Sequence, residues 1–279
     1  MTGASGAAEP GQEFSPINNI PRSWKASGAR YSSPHDNASP RLREAAQLPR
    51  PGRVFGRRGR SVRWGLLYRT DSLGKLAGSP ADLDRFHALG VRTVIDLRYP
   101  WEIAAKGRIP DFDGLDYHNL SIEHRPYDQA EISPDVDPWR YLADRFGEVA
   151  EDGVQEIRQA LDVITFAEGP VAFHCAAGKD RTGLIAALLL TLLGVREDDI
   201  AADFALTERA TERFVADWHA AHPGRTLTWP GYGRAPEAVI RLTLADLAAR
   251  HGSVEAYLTG PLGITRPQID ALRARLLTD

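Results

Sequence analysis

The chain has 279 residues, of which 43% are hydrophobic and 25% charged, and its formal net charge is −3. This composition is typical of a globular protein with a sizeable core, and a slightly negative charge without a basic run argues against nucleic acid as a partner. The chain has one cysteine, Cys175. A single cysteine excludes an internal disulfide framework and a cysteine-rich metal site.

The apolar segments predict no membrane span. The longest of them, residues 184–194, has the length of a buried helix rather than that of a transmembrane segment. Residues 1–14 have neither a positively charged start nor an apolar stretch, so they do not resemble a secretory signal peptide. We therefore expect a cytoplasmic protein, with export without a leader left open.

The first part of the chain differs in composition from the rest. Residues 1–37 are rich in Pro, Ser, Gly, Ala and Asn and show no periodic apolar pattern. Such a segment cannot bury enough apolar surface to build a core of its own. We predict a flexible N-terminal segment over 1–37 and a single domain over 38–279.

From about residue 60 onward, strand-like and helix-like segments alternate. Short apolar runs predict strands at 63–70, 91–97, 115–120 and 170–175. Capping residues and apolar periodicity predict helices over 79–90, from about 100, over 138–166 with a break at Gly153, and from about 182. The remainder reads as helical, with breaks at 222–236 and 259–265.

This alternation predicts an α/β fold with a mainly parallel central sheet flanked by helices. In such sheets, ligands bind beyond the carboxyl ends of the strands. Cys175 is the last residue of a predicted strand, so it falls at the expected ligand-binding edge.

The stretch VAFHCAAGKDRTG, residues 171–183, joins that buried strand to a buried helix. The backbone N–H groups of the turn would converge beside the positive end of the helix dipole, which predicts an anion-binding cradle. The predicted phosphate-binding residues are Ala176, Ala177, Gly178, Lys179, Asp180 and Arg181.

Side chains of the same stretch suggest nucleophilic chemistry on phosphorus. Arg181 offers a bidentate fork to two phosphate oxygens. The positive potential around the turn favours the thiolate of Cys175, which is then a competent nucleophile. We expect Thr182 to donate its hydroxyl to the sulfur and His174 to brace the turn.

These residues carry a resemblance to a known family. The sequence HCAAGKDRTG resembles the Cys-x5-Arg loop of the protein tyrosine phosphatase superfamily, and its Lys179 and Asp180 are similar to bacterial tyrosine and phosphoinositide phosphatases. Four other segments resemble that group in the expected order, so the resemblance covers about 38–279: residues 63–73, 90–98, 203–208 and 254–265. The resemblance implies a cysteine-phosphatase fold, a phosphocysteine intermediate, and no metal or other cofactor.

The resemblance leaves the general acid open. In related bacterial loops the aspartate directly before the arginine protonates the leaving oxygen, which favours Asp180. Asp96, at the end of a predicted strand, is expected to face the same crevice and is the second candidate. Conventional members use an aspartate on a separate loop, and Asp135 and Asp137 occupy such a segment.

The roles of three basic side chains have two interpretations each. Lys179 either contacts a further phosphate of a polyanionic substrate or is a solvated lysine. Arg98 and Arg69 either bind substrate or pair with Asp96 and Asp71, and we favour pairing.

Residues 208–234 lie where related enzymes carry substrate-facing or lid helices, which implies a C-terminal helical lid region. Three aromatic residues there, Trp218, Trp229 and Tyr232, either clamp an aromatic ring or pack the lid, with packing favoured for Trp218.

We predict a metal-independent phosphomonoester hydrolase whose substrates are phosphotyrosine proteins. One alternative is the same chemistry on a small-molecule phosphate such as a phosphoinositide, a nucleotide or a biosynthetic intermediate. The alternative of another class is a phosphate-binding pseudoenzyme, although Cys175 and Arg181 are both present.

Overall fold

The computed structural model describes residues 60–125 and 127–278. The predicted flexible segment, residues 1–37, lies outside these ranges, as does the start of the predicted domain. No helix within the described ranges combines the length and apolar character that a membrane span requires.

Four short strands form one sheet in the described part of the chain: β1 (Leu67–Thr70), β2 (Thr93–Asp96), β3 (Asp116–Asn119) and β4 (Val171–His174). Their spatial order is β1-β4-β2-β3, and every neighbouring pair is parallel. The prediction of a mainly parallel sheet is therefore confirmed, and β4, which leads into Cys175, occupies a central position.

The two faces of the sheet bury different side chains. Along the strands, Ile95 and Phe173 join one apolar cluster, whereas Val94 and Ala172 join a smaller cluster on the other face. This alternation follows from the pleat of a β-strand, in which successive side chains point to opposite faces. Helices cover both faces, so β1, β2 and β4 are fully buried, whereas the edge strand β3 is exposed or half-buried along its length.

Ten α-helices surround the sheet in the described ranges: α1 (Pro80–Ala88), α2 (Pro100–Lys106), α3 (Pro138–Asp152), α4 (Val154–Phe166), α5 (Asp180–Leu192), α6 (Glu197–Ala205), α7 (Thr211–Ala221), α8 (Glu237–His251), α9 (Val254–Thr259) and α10 (Arg266–Leu276). Several begin with proline, which lacks the N–H that the first turn leaves unsatisfied. Gly153 separates α3 from α4, as predicted.

Helix α5 begins at Asp180, two residues before the predicted start at 182. The apolar pattern of the helix is nearly continuous from Leu184, and its side chains are buried on all sides. The first turn is polar, so apolar periodicity alone cannot reveal it. This polar turn carries Asp180 and Arg181 into the region beyond the carboxyl end of β4.

Candidate active site

A five-residue turn, from Cys175 to Lys179, joins β4 to α5. The amide of Ser72 donates to the carbonyl of Ala176 at 3.1 Å, which ties the turn to the segment after β1. Gly178 has a φ of +66°, and a Cβ placed there would lie 2.4 Å from the carbonyl oxygen of Thr70. Only glycine therefore fits this close approach. The amides in the first turn of α5 have no acceptor within the helix, as in any α-helix, and so are available to an anion.

Arg181 is held in place by two neighbours from earlier in the chain. Its Nη1 and Nη2 donate to the two carboxylate oxygens of Glu102 at 2.7 and 3.0 Å, and Nη1 also donates to the carbonyl of Leu97 at 3.1 Å. A guanidinium has five N–H donors. Among the described residues, Nε–H and one N–H of Nη2 keep no partner, and these two lie on one edge as a fork that matches two phosphate oxygens.

The pairing shifts the protonation of both groups. Burial raises the pKa of the Glu102 carboxyl, but hydrogen bonding to Arg181 and its positive charge bring that pKa below its ordinary value. Burial lowers the pKa of Arg181, yet the hydrogen bonds to Glu102 and the negative charge of that carboxylate bring it above its ordinary value. Both partners are therefore ionised at neutral pH.

Glu102 is absent from the sequence-based prediction. Its sequence signal is local: Glu102 occupies the third position of α2, where its side chain accepts from the amide of Tyr99 at 2.9 Å and so caps the helix. This capping role is a sufficient reason for a glutamate at position 102. The contact between Glu102 and Arg181 is therefore evident only in the folded chain. The ring of Tyr99 lies beneath the guanidinium, with the Arg181 Cζ 5.3 Å from its centroid.

Cys175 is 2% exposed and packs against the edge of the main apolar cluster. The Nδ1–H of His174 donates to the Cys175 carbonyl at 3.1 Å, which supports the expected bracing role. Thr182 is fully buried, and its hydroxyl has no hydrogen-bond partner in the described part of the chain. The expected bond from this hydroxyl to the sulfur remains a prediction.

A pocket of about 510 Å³ lies beside this turn. Its walls come from five separate segments of the chain, within residues 99–102, 124–129, 177–181, 214–218 and 232–233. The predicted loop residues that line it are Ala177, Lys179, Asp180 and Arg181. The structure thus brings the N-terminus of α5 together with α2, α7 and two loops.

Asp96 does not face this pocket, which corrects the expectation from the sequence. Its carboxylate is fully buried, pairs with Arg98 at 2.6 Å and accepts from the Tyr117 hydroxyl at 2.9 Å. Burial raises the pKa of Asp96, but Arg98 and His174 bring it below its ordinary value. A buried aspartate needs such a partner, and once ionised and paired it has no proton to give.

Asp180 lies at the pocket, with its Oδ1 3.4 Å from the Nζ of Lys179. Asp135 and Asp137 do not line the pocket. Asp137 instead caps α3, where its Oδ1 accepts from the amides of Trp139 and Arg140 at 2.9 and 3.2 Å. The structure therefore brings only Asp180, of the aspartates predicted as general acids, to the pocket.

The basic side chains have mixed placements. Lys179 lines the pocket but is 3% exposed, and its Nζ donates to the carbonyl of Arg234 at 3.3 Å. Arg98 pairs with Asp96, as favoured. Arg69 is also paired, but with Asp203 at 2.6 Å rather than with Asp71.

Trp229 is buried in the main apolar cluster and its Nε1–H donates to the carbonyl of Val136 at 3.1 Å, so it packs the fold. Trp218 and Tyr232 both line the pocket, with their ring centroids 6.1 Å apart. Trp218 also stacks on His222 at 4.7 Å.

The pocket wall includes further aromatic rings that the sequence analysis did not single out, contributed by Tyr99, Trp101, His124, Tyr127 and Phe214. They come from three segments, within 99–101, 124–127 and at 214, which are distant in the sequence and meet only in the folded chain.

Comparisons with known proteins agree with this geometry. A model described as a tyrosine phosphatase family matches residues 51–278. A tyrosine-protein phosphatase of Nostoc commune is 32% identical over 225 residues, which cover 75% of this chain and 73% of the relative. The triple specificity protein phosphatase PtpB of Mycobacterium tuberculosis is 28% identical over 265 residues, covering 78% of this chain and 92% of the relative. With a matched family model across most of its length and the Cys175–Arg181 turn beside a pocket, the chain belongs to the tyrosine phosphatase family.

Proposed function

We propose that this cysteine-based phosphoric monoester hydrolase acts on phosphotyrosine, with Cys175 as nucleophile, Arg181 as phosphate ligand and Asp180 as general acid. The observation that carries the proposal is the free donor fork of Arg181, which lies at a pocket beside the N-terminus of α5. The fork and the free amides of the first turn suit a dianionic phosphate.

In the first step, the Cys175 thiolate attacks phosphorus while the bond from phosphorus to the phenolic oxygen breaks. The carboxylic acid of Asp180 gives its proton to the departing oxygen, so a neutral tyrosine leaves. The transition state spreads charge over three equatorial oxygens, and Arg181 and the turn amides hold them. The phosphoryl group is then covalently bound to the sulfur of Cys175 as a phosphocysteine.

In the second step, water attacks phosphorus and the phosphorus–sulfur bond breaks. The Asp180 carboxylate takes a proton from that water, which restores the acid for the next cycle. The thiolate of Cys175 leaves, and a hydrogen bond from the Thr182 hydroxyl would stabilise its returning charge. The products are inorganic phosphate and the starting enzyme.

The pocket wall supports an aryl substrate. Six phenolic, benzyl or indole side chains line it: Tyr99, Trp101, Tyr127, Phe214, Trp218 and Tyr232. Such rings favour contact with a phenyl group through offset or edge-to-face packing. Trp101 is 62% exposed and stacks on Tyr99 at 5.6 Å, so its outer face is accessible to a ligand.

The test is phosphate release from a phosphotyrosine peptide, a phosphoserine peptide and a set of nucleotides. We expect the phosphotyrosine peptide to give the highest kcat/KM. Cys175→Ser should abolish release while phosphate still binds, and Asp180→Ala should lower kcat about 100-fold or more for poor leaving groups and far less for acidic phenols.

Asp137→Ala is the matched control, because it removes a carboxylate that caps a helix away from the pocket. It should cost about 1 kcal/mol of stability and leave the leaving-group dependence intact. A silent Asp180→Ala with a crippling Asp137→Ala would refute the assignment of the acid. Faster turnover of a nucleotide than of the phosphotyrosine peptide would refute the assignment of phosphotyrosine as the substrate.

A further inference from the structure

Two carboxylates of the pocket belong to segments other than the phosphate-binding turn. Asp128 directly precedes the 3₁₀ turn Gln129–Glu131, and Asp217 lies on α7; both line the pocket and are exposed. Asp128 accepts a hydrogen bond from the amide of Ala130 at 2.9 Å. In the described ranges, no cationic side chain pairs with either of them.

This lack of a partner differs from the behaviour of nearby acids in the sequence. Glu131 pairs with Arg225, and Glu208 pairs with Arg234 at 2.6 Å. Unlike Glu131 and Glu208, Asp128 and Asp217 face the pocket without an arginine partner among the described residues.

Both carboxylates line the same pocket as the ring of Tyr232. Burial raises the pKa of the Tyr232 hydroxyl, and the negative charges of Asp128 and Asp217 raise it further. Tyr232 in turn lies edge-on to Trp218, which also lines the pocket. Carboxylates beside aromatic faces attract cations, since a guanidinium or ammonium group gains from both.

The other charged residues of the pocket also disfavour a second phosphate on the substrate. Its two buried cations already have anionic neighbours, because Arg181 is paired with Glu102 and Lys179 lies near Asp180. One phosphate can use the free edge of Arg181. A second phosphate would meet Asp128 and Asp217 without any further unpaired cation from the lining residues in the described ranges.

We infer that Asp128 and Asp217 are specificity-determining residues that make the pocket prefer phosphotyrosine flanked by lysine or arginine and disfavour polyanionic substrates. This inference rests on the proposed function, because it names the substrate class of the same site. The preference is electrostatic, so added salt should weaken it.

The experiment compares three phosphotyrosine peptides that differ only in the residues on either side of the phosphotyrosine, which are lysine, glutamine or glutamate. For the wild-type chain at low salt, we expect kcat/KM for the lysine peptide to exceed that for the glutamate peptide roughly tenfold, the scale of two exposed ion pairs. In the Asp128→Asn/Asp217→Asn double variant, this ratio should fall to about two or less.

The double variant Asp84→Asn/Asp113→Asn is the matched control. It removes the same charge from two exposed aspartates that do not line the pocket. It should keep the wild-type ratio, which separates a local effect from a change in net charge.

Failure of the inference is distinguishable from failure of the proposed function. If the wild-type chain releases no phosphate from the glutamine peptide, the proposed function fails. If it turns over that peptide but shows equal rates for lysine and glutamate flanks, or keeps its preference in the pocket double variant, the inference is overturned. Faster turnover of a bisphosphorylated inositol lipid than of the lysine peptide would also overturn it.

Discussion

Arg181 is oriented before any phosphate binds, because Glu102 and Leu97 take three of its five N–H donors. The two remaining donors then keep a fixed direction toward the pocket. Fixed donors stabilise a transition state without reorganising during the reaction, which is where such a site gains most of its rate. Glu102 thus acts on the reaction through Arg181, as a positioning residue.

We predict that Glu102→Gln lowers kcat/KM for an aryl phosphate about 100-fold, because an arginine displaced by a fraction of an ångström loses its alignment with the phosphate. Steady-state kinetics and the affinity for inorganic phosphate measure the effect. Glu168→Gln, at an exposed position, is the control and should have wild-type kinetics. Unchanged kinetics in Glu102→Gln would mean that Arg181 keeps its orientation without the carboxylate.

At the scale of the element, the strand–turn–helix unit depends on Gly178. Its backbone is left-handed, and the carbonyl of Thr70 occupies the space that a side chain would need. The turn amides therefore keep their positions only while this residue lacks a Cβ. Gly194, with a φ of +77° and open space around it, has the same backbone requirement without the close approach.

We predict that Gly178→Ala both destabilises the chain and abolishes most of its activity, since the turn must move away from β1. Gly194→Ala should cost about 1–2 kcal/mol from the backbone alone and keep its kcat. Thermal unfolding and aryl phosphate turnover, measured on both variants, test this pair. Equal activities of the two variants would show that the turn tolerates the displacement.

At the scale of the whole molecule, the buried carboxylate of Asp96 and the half-buried one of Glu102 make folding stability depend on pH. The pKa values of Asp96 and Glu102 both lie below their ordinary range in the folded chain, because the arginine partners outweigh burial. In the unfolded chain these groups titrate near their ordinary values, about 3.9 and 4.3. The unfolded state therefore binds more protons in acid, and stability falls as pH decreases.

We predict that the contribution of Asp96 and Glu102 to the free energy of unfolding is nearly constant above about pH 5 and declines below about pH 4, as pH falls toward their lowered folded-state pKa values. Burial lowers the pKa of His174, so stability already falls as pH decreases through about 6.5, where the unfolded histidine takes up a proton. Urea unfolding at a series of pH values measures this decline. Glu102→Gln removes one of the two groups and should reduce the slope. A slope unchanged in that variant would place the acid sensitivity elsewhere.

The sequence alone determined the local features. Strand and helix positions, the parallel α/β arrangement and the contiguous turn from Cys175 to Arg181 were predictable, because periodicity, capping residues and short motifs act over a few neighbouring residues. The family resemblance depends on the same short stretch. The helix start at Asp180 was missed only because its first turn is polar.

Only the tertiary structure shows which residues from distant segments of the chain come into contact. Glu102 is 79 residues from Arg181, and its contact arises only when α2 packs beside the turn. Asp96 belongs to the core rather than the crevice because burial of Arg98 demands a counter-charge, and Asp128 and Asp217 meet at one pocket only through folding. Burial and charge pairing are properties of the packed chain, and no local pattern encodes which distant partner a side chain receives.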